Sequence, residues 1–360
     1  MIALILAGGG GTRLWPVSRK DNPKQIGSIV GGDSMLSTTY YRLRKSFEPQ
    51  DIFVAASADH GPAVREQLPE MPDKNLVLEP CRRDTAAAIG FALLNVARKR
   101  PDETFVVINS DAHVRDADAY HRAIRAADAL VRANPGRTAL IGIRPEYPET
   151  GYGYIKMGEK AGGLADGHEV YEVEQFVEKP DLVTAEEYLA DGRYLWNPTL
   201  IVGSVSDFLD LFAKHLPEHH FLFMKMAESF GKEDEEQTVS AYFERLPKVS
   251  IDYGILEKVS GLLVLPAEFG WMDIGNWRTV REVMAAAGEK NTVRGKLVEV
   301  DSQDNLIFAP VGKLVAAVGI EGLAVIDAGD ALLVCPLDRA HEVKRLVEMM
   351  EGDEELRGYL

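Results

Sequence analysis

The sequence has very little cysteine, and this excludes several classes of protein. Of 360 residues only Cys81 and Cys335 are cysteines, far apart and without a CxxC motif. A disulfide scaffold or a cysteine-based metal site needs more thiols at closer spacing. We therefore interpret both as reduced thiols and expect a cytoplasmic protein.

Long hydrophobic runs are also absent. No stretch approaches the roughly 18–20 apolar residues that a membrane-spanning helix requires. The apolar opening, residues 2–7, is too short for the core of a secretion signal, and no basic segment precedes it. We expect no membrane partner.

Positive charge is scarce as well. Forty Lys and Arg residues stand against 56 Asp and Glu residues, which gives a net charge of -16. Nucleic-acid binding depends on neutralising phosphates, so this balance argues against a nucleic-acid partner. Any anionic substrate must therefore meet a local group of cations or a metal ion.

The glycine-rich segment "AGGGGTR" lacks the fingerprints of two familiar phosphate loops. No Gly-Lys-Ser or Gly-Lys-Thr follows it, and Arg13 or Leu14 occupies the last glycine position of GxGxxG. Glycines between a strand and a helix still admit positive φ and expose N–H groups to phosphate. A tight structural turn is the alternative interpretation.

Cations follow these glycines closely, at Arg13, Arg19, Lys20 and Lys24. In so acidic a chain this is a local reversal of sign. Backbone N–H groups together with Arg and Lys side chains are what a triphosphate needs. Lys20 is more simply explained as a solvated surface cation.

Apolar runs and amphipathic segments alternate over the first 150 residues. The strand-like runs are 2–7, 52–57, 75–79, 104–111 and 138–143, and the helix-like segments include 84–100 and 116–133. Strands that are apolar on both faces indicate an α/β fold with a mainly parallel sheet flanked by helices. Ligands of such sheets bind beyond the carboxyl ends of the strands, where Gly8–Arg13, Glu79 and Asp111 fall.

The chain changes character towards its end. Residues 150–290 mix strands with helices, whereas short strands separated by turn residues begin near 291 and an amphipathic helix closes the chain. This pattern predicts a domain over 1–290 and a small β-rich domain over 291–360. Short strands expose edges that need cover, so we expect the second domain to contribute to a homodimer.

Several motifs together resemble one family. "LAGGGGTRLWPVSRKDNPKQ", "EPCRRDTAAAI", "ETGYGYI", "FVEKP", "SIDYGILEK" and "WMDIGNW" resemble, in order and spacing, the sugar-nucleotide pyrophosphorylases of the mannose-1-phosphate guanylyltransferase branch. The resemblance covers nearly the whole chain. It implies a nucleotidyltransferase-type, Rossmann-like domain followed by a short β-helix-like domain; longer members carry a further isomerase domain, for which this sequence ends too early.

The implied reaction is transfer of GMP from GTP to α-D-mannose 1-phosphate, giving GDP-mannose and pyrophosphate. The resemblance implies catalytic roles for Arg13, Lys24, Asp111 and Asp273, with both aspartates binding Mg²⁺ or another divalent cation. It implies nucleotide contacts for Ala7, Gly8, Gly9, Gly10, Gly11, Thr12, Glu79, Arg83, Asp84 and Thr85. It implies sugar-phosphate contacts for Gly153, Glu178, Lys179, Asn197 and Asp252.

The residue types suit these roles. Mg²⁺ prefers a couple of carboxylates plus phosphate oxygens and water. A carboxylate at Glu79 can accept from both N1–H and N2–H₂ of guanine, a donor pair that adenine lacks. Structural alternatives remain: Asp111, Asp84, Thr85 and Asp252 could each cap a helix, and Asp273 could be a turn residue.

Two departures from the family pattern bear on the acceptor and the metal. The family usually reads WNSGMF where this chain has "WNPTLI", and it usually has His directly after the metal-binding Asp, where Ala112 stands here. Both departures leave the reaction type unchanged. Two functional alternatives are kept beside it: transfer to another sugar 1-phosphate, and a catalytically silent regulatory subunit that binds GDP-mannose. The five charged residues Arg13, Lys24, Asp111, Lys179 and Asp273 argue against a silent subunit.

Overall fold

The chain forms two compact units that do not follow the linear order of the sequence. The structure is a computed structural model that describes residues 1–8, 11–19, 23–162 and 165–360. The sheet unit comprises Met1–Ala7, Tyr40–Asn109 and Val114–Trp271. The coil unit comprises Gly8–Thr39, Ser110–His113 and Met272–Leu360. The expected boundary near residue 290 stays a prediction.

Strands and helices alternate as the apolar pattern predicts. The strands are β1 (Ile2–Leu6), β2 (Ile52–Ser57), β3 (Leu76–Glu79), β4 (Thr104–Asn109), β5 (Ala112–Val114), β6 (Ala139–Ile143), β7 (Gly153–Lys160), β8 (Tyr171–Glu178), β9 (Tyr194–Ser204), β10 (Leu263–Ala267), β11 (Trp271–Asp273), β12 (Thr292–Arg294), β13 (Lys296–Val300), β14 (Leu306–Phe308), β15 (Leu314–Val318), β16 (Leu323–Asp327) and β17 (Leu332–Pro336). The helices are α1 (Met35–Leu43), α2 (Gly61–Gln67), α3 (Asp84–Ala97), α4 (Ala117–Ala133), α5 (Leu182–Asp191), α6 (Val205–His215), α7 (Pro217–Ala227), α8 (Glu235–Phe243), α9 (Trp277–Met284) and α10 (Val343–Glu351).

The sheet unit is built on a nine-stranded mixed sheet in the order β3-β2-β1-β4-β9-β6-β10-β8-β7. Parallel pairing joins β3, β2, β1 and β4, and it also joins β6 to β10. Strand β9 is antiparallel to β4, β6 and β7. The expected α/β class is confirmed, and the antiparallel strands are those of the later, mixed part of the sequence.

The core of the sheet unit explains the long apolar helix α3. Ten of its residues are buried, and it packs against aromatic residues of α6, α7 and α8. Gly90 lies where a Cβ would come 2.3 Å from the ring of Phe223, so only glycine allows this close approach. Asp116 is the N-cap of the amphipathic helix α4, and its carboxylate accepts a hydrogen bond from the Ala119 N–H.

The coil unit contains the short strands expected of the C-terminal segment. β12, β14 and β16 pair in parallel, and so do β13 and β15, as in the coils of a β-helix. The core of this unit joins residues of these strands to residues of the N-terminal segment, namely Leu14, Ile29 and Met35. The strands thus share one apolar core with the segment that carries the glycines and cations.

Strand β4 is shorter than the sequence predicts. The strand expected over 104–111 ends at Asn109, so Asp111 lies in the turn before β5 rather than at the strand's last position. No helix among the described residues is long and apolar enough to cross a membrane.

Candidate active site

A buried ion pair lies at the centre of the predicted residues of the coil unit. The Lys24 Nζ is 2.6 Å from the Asp111 Oδ2 and also donates a hydrogen bond of 3.3 Å to the Ile274 carbonyl. Lys24 is only 8% exposed. Burial opposes its charge, but the carboxylates of Asp111 and Asp273 outweigh burial and raise the pKa of the ammonium. Lys24 therefore stays protonated.

Arg13 and Asp273 complete this cluster. A Cβ on Gly275 would lie 2.9 Å from the Asp273 Oδ2 and 3.5 Å from the Arg13 Nη2, so both side chains flank that glycine. The structure brings together all four residues with predicted catalytic roles. Two cations and two carboxylates can bind phosphate oxygens directly and through a divalent cation.

The glycine-rich segment next to this cluster is described in part. Gly11 has φ of 57°, and a Cβ there would be 2.3 Å from the Ser18 Oγ, so the turn requires glycine. A Cβ on Gly8 would meet no atom of the described residues within 4 Å. Ala7 follows β1 and donates to the Ala55 carbonyl, and Thr12 begins a short 3₁₀ turn. Gly9, Gly10 and Lys20 lie outside the described residues.

Sequence reasoning missed Gln25. Its Nε2 donates a 3.0 Å hydrogen bond to the Gly8 carbonyl, and the side chain is 1% exposed. Its Oε1 is buried and has no hydrogen-bond partner among the described residues. The signal was available, because Gln25 directly follows Lys24 in the "PKQ" motif.

Glu79 is the last residue of β3 in the sheet unit and is 8% exposed. Burial raises the pKa of its carboxyl to about 7, although Arg82 acts in the opposite direction. Among the described residues the charge of Arg82 does not offset this burial, so an ionised Glu79 costs folding free energy.

Three predicted residues near the start of α3 have structural contacts of their own. Arg83 donates to the Glu244 carbonyl, and the Asp84 Oδ1 accepts from the Thr85 N–H at 2.7 Å. The Thr85 Oγ1 accepts a 2.8 Å hydrogen bond from the Ile251 N–H. Neither Asp84 nor Thr85 caps α3, whose N-cap is Arg83. Their ligand roles stay predictions.

A second polar cluster of the sheet unit contains all five predicted sugar-phosphate residues. Gly153 of β7 is paired with Asn197 of β9, and a Cβ on Gly153 would lie 2.4 Å from the Glu178 Oε2. Glycine is therefore required for Glu178 to sit where it does. The Lys179 ammonium pairs with Glu178, and Lys179 has φ of 50°.

Asn197 and Asp252 form the buried end of this cluster. The Asn197 Nδ2 donates to the Asp252 Oδ1 at 2.9 Å, and the Thr199 N–H donates to the Asn197 Oδ1 at 3.1 Å. Burial, followed by the charge of Glu178, raises the pKa of Asp252 to about 7. Asp252 lies in a single π-helical turn, and its side chain bonds Asn197 rather than capping a helix. The carboxylates and the amide of this cluster can form hydrogen bonds with sugar hydroxyls, and its ammonium can bind a phosphate.

The "WNPTLI" segment is a bulge in β9. Opposite it on β6, Ile141 pairs with Leu200 and Ile143 pairs with Trp196, so the residues 197–199 face a single residue. Pro198 cannot donate to a ladder and suits a bulge. Thr199 has φ of 60°, a strained conformation for a β-branched side chain. The irregularity lies on the side of β9 that faces β6, whereas Asn197 keeps its regular pairing with Gly153 of β7.

An aromatic row beside the bulge was also missed. The ring of Tyr152 is 5.4 Å from Trp196 and 5.3 Å from Trp271, both edge to face. Tyr147 packs on the other side of Trp196 at 4.9 Å. Each of these aromatics stands within or next to a quoted motif, so their proximity was the part that only the fold supplied.

Comparison with known proteins identifies the family of this chain. A model of the nucleotidyl transferase family matches residues 2–290. The chain belongs to the nucleotidyl transferase family. Residues 295–350 match a second model, described as a MannoseP isomerase/GMP-like beta-helix domain. The enzyme class and the β-helix-like C-terminal segment expected from the sequence are thereby confirmed.

Several relatives of this nucleotidyl transferase are similar over nearly its whole length. The xanthan biosynthesis protein XanB of Xanthomonas campestris pv. campestris (strain B100) is 37% identical over 356 residues, which covers 98% of this chain and 73% of that protein. The mannose-1-phosphate guanylyltransferase of Escherichia coli (strain K12) is 35% identical over 360 residues, covering 97% and 73%. A crystal structure described as mannose-1-phosphate geranyltransferase from Thermus thermophilus has 35% identity and a TM-score of 0.86, covering 97% of this chain and 99% of that one.

Replacing the buried acid of this nucleotidyl transferase should reveal its folding cost. The native state binds a proton at Glu79 up to about pH 7, whereas an unfolded glutamate releases it near its ordinary value of 4.5. Binding of this proton stabilises the native state fully below pH 4.5, and this stabilisation is lost as pH rises through 7. Glu79→Gln should therefore gain stability over the parent between pH 5 and pH 8.5, by on the order of 2 kcal/mol.

Urea unfolding at the two pH values measures this difference. Glu66→Gln, an exposed glutamate on α2, serves as the control and should show no such dependence. An equal stability difference between Glu79→Gln and the parent at both pH values would contradict the raised pKa.

Proposed function

We propose that this chain is a mannose-1-phosphate guanylyltransferase that transfers GMP from GTP to α-D-mannose 1-phosphate, releasing pyrophosphate and forming GDP-mannose. The near-full-length similarity to the Escherichia coli enzyme of that name supports the substrate pair. The buried cluster of Lys24, Asp111 and Asp273 with Arg13 supports an active catalyst over a silent binding subunit. We also infer a cytoplasmic location, in keeping with the two thiols.

The chemistry requires positioning and charge neutralisation. A phosphate oxygen of the sugar 1-phosphate attacks the α-phosphorus of GTP, a new P–O bond forms, and the bond to the leaving pyrophosphate breaks in line. The attacking group is already an anion, so no general base is needed. Arg13 and the protonated Lys24 neutralise charge that develops on the phosphates, and the backbone at Gly8 can donate to them.

The carboxylates of the coil unit suit a divalent cation. Both Asp111 and Asp273 act on the single charge of Lys24, so they face a common point. Among the described residues no group of three or more His, Cys, Asp or Glu side chains could hold a metal by itself. Two carboxylates with substrate oxygens are the donors that Mg²⁺ prefers, and when bound it would neutralise phosphate charge.

Glu79 and the cluster of five predicted sugar-phosphate residues divide recognition between the two substrates. Glu79 accepts from N1–H and N2–H₂ of guanine when ionised. Glu178, Asn197 and Asp252 bind sugar hydroxyls, the Lys179 ammonium binds the sugar phosphate, and Gly153 lets the sugar approach the backbone. The strained bulge at Pro198–Thr199 keeps a second candidate acceptor open, another sugar 1-phosphate of similar shape.

Pyrophosphate release measured over a grid of nucleoside triphosphates and sugar 1-phosphates tests this function. The highest kcat/KM is expected for GTP with mannose 1-phosphate, and EDTA should abolish turnover until Mg²⁺ is restored. A maximum with another acceptor would identify the alternative sugar. No pyrophosphate release from any pair, with GDP-mannose still bound, would favour the silent subunit.

Glu79 should set the preference for GTP over ATP. A site built on such hydrogen bonds can reject the wrong base by about 10⁴ or more, because its own polar groups are left unpaired. Glu79→Gln turns one acceptor into a donor, so kcat/KM for GTP should fall and the GTP/ATP ratio should narrow. In the parent, kcat/KM for GTP should rise with pH through about 7, as the carboxyl ionises.

The pH profile and the base preference provide separate checks on Glu79. The variant should lose the ionisation near pH 7 but keep the KM for the sugar 1-phosphate. An unchanged GTP/ATP ratio would remove Glu79 from guanine recognition.

We further propose a homodimer formed through the coil unit. Val298, Val300, Leu314 and Val318 of β13 and β15 are each more than half exposed, and these four make an apolar surface on paired strands. A second copy offers the same surface, so the contact would be isologous.

Light scattering should give about twice the mass of one chain. Val300→Ser combined with Val318→Ser should shift the mass to that of a monomer, since these changes place hydroxyls in the contact. Phe221→Ser, at an exposed apolar residue of α7, should leave the mass unchanged. A monomeric parent protein would refute this proposal.

A further inference from the structure

The turn that carries Lys24 is held by an arginine from the C-terminal strands. The Arg294 Nη1 donates hydrogen bonds to the carbonyls of Ser28, at 2.9 Å, and Ile29, at 3.1 Å. Its guanidinium carbon lies 4.6 Å from the centre of the Phe308 ring. One side chain of β12 thus bonds two adjacent peptide groups just after the turn that contains Lys24.

Arg294 is itself fixed in place. Arg294 pairs with Phe308 in the parallel ladder of β12 and β14, and the Arg294 carbonyl accepts a 2.8 Å hydrogen bond from the Ala309 N–H. The cation–π contact with the cross-strand neighbour restricts the side chain further. A fork held in this way can orient the chain segment to which it donates.

Residues 23–29, which include Lys24, are linked to one another and to their surroundings by hydrogen bonds and packing. The Pro23 carbonyl accepts from the N–H groups of Ile26 and Gly27, which makes a compact turn around Lys24. The Leu36 N–H donates to the Gln25 carbonyl at 3.0 Å. Ile29 is fully buried in the core of the coil unit. Residues 28 and 29 thus directly follow a compact turn that contains Lys24.

Two further contacts involve residues that precede the turn in sequence, Trp15 and Arg19. Arg19 forms a two-pronged ion pair with Asp330, with distances of 2.6 and 2.7 Å. The Trp277 indole N–H donates to the Trp15 carbonyl at 2.9 Å. Arg19 was one of the four cations near the glycines, and the structure commits it to Asp330.

We infer that Arg294 is a positioning residue for catalysis, which holds the turn around Lys24 so that the ammonium stays against Asp111. The C-terminal strands then contribute to the chemistry itself as well as to any association of subunits. The kinetic part of this inference rests on the proposed guanylyltransferase activity, whereas the placement of Lys24 does not.

Labelling of Lys24 tests the placement without any assay of activity. Limited acetylation of the full-length protein by acetic anhydride, followed by peptide mass spectrometry, gives the modification rate of Lys24 relative to exposed lysines. In the parent this rate should be low, because Lys24 is buried and paired. Arg294→Ala should raise it several-fold. Arg281→Ala, which removes a comparable ion pair with Asp304 in the same unit, is the matched control and should leave it unchanged.

Kinetics provide the second measurement. Arg294→Ala should lower kcat by about tenfold or more, since small misplacements of a catalytic group are costly, with little change in the KM for the sugar 1-phosphate. Arg294→Lys keeps a cationic donor and should recover part of both properties. A Lys24 labelling rate equal to the parent's in Arg294→Ala, or in Arg294→Lys if the alanine variant does not fold, would overturn the inference. Unchanged labelling would do so even if the parent proved to have a different substrate.

Discussion

The buried ion pair between Lys24 and Asp111 is the contact on which the organisation of the coil unit depends. A charge as enclosed as that of Lys24 is tolerated only with a partner, because desolvation otherwise outweighs any gain. The N-terminal turn, the residues after β4 and the segment after β11 must therefore come together in one place. The Ile274 N–H bonds the Asp111 carbonyl, which fixes two of these segments directly.

The acidic groups of the sheet unit follow the opposite logic. Glu79 and Asp252 are buried without enough positive charge to keep their pKa values low, so both pKa values rise to about 7. The strained φ of Thr199 adds a further cost beside Asn197. Unfavourable groups that collect in two small regions are typical of sites shaped for a ligand rather than for stability.

The C-terminal strands contact the N-terminal part of the coil unit in more than one way. They share an apolar core with Leu14, Ile29 and Met35. Arg294 also bonds residues 28 and 29, and Asp330 pairs with Arg19. Residues far apart in sequence thus support one short turn. This explains why the compact units do not coincide with consecutive stretches of the chain.

The sequence by itself determined the main alternation of strands and helices in the first 150 residues, the family and the identity of the charged residues. These are local signals: strands apolar on both faces, amphipathic helical segments, and motifs whose order is readable along the chain. It did not determine that β9 inserts between β4 and β6, because strand order depends on pairing between distant segments. Nor did it predict φ of 60° at Thr199, since a threonine locally disfavours this conformation.

Only the tertiary structure decided that Lys24 pairs with Asp111, that Arg19 pairs with Asp330 and that Glu79 holds its proton to about pH 7. Each of these depends on burial and on charges brought together by folding, which no local pattern encodes.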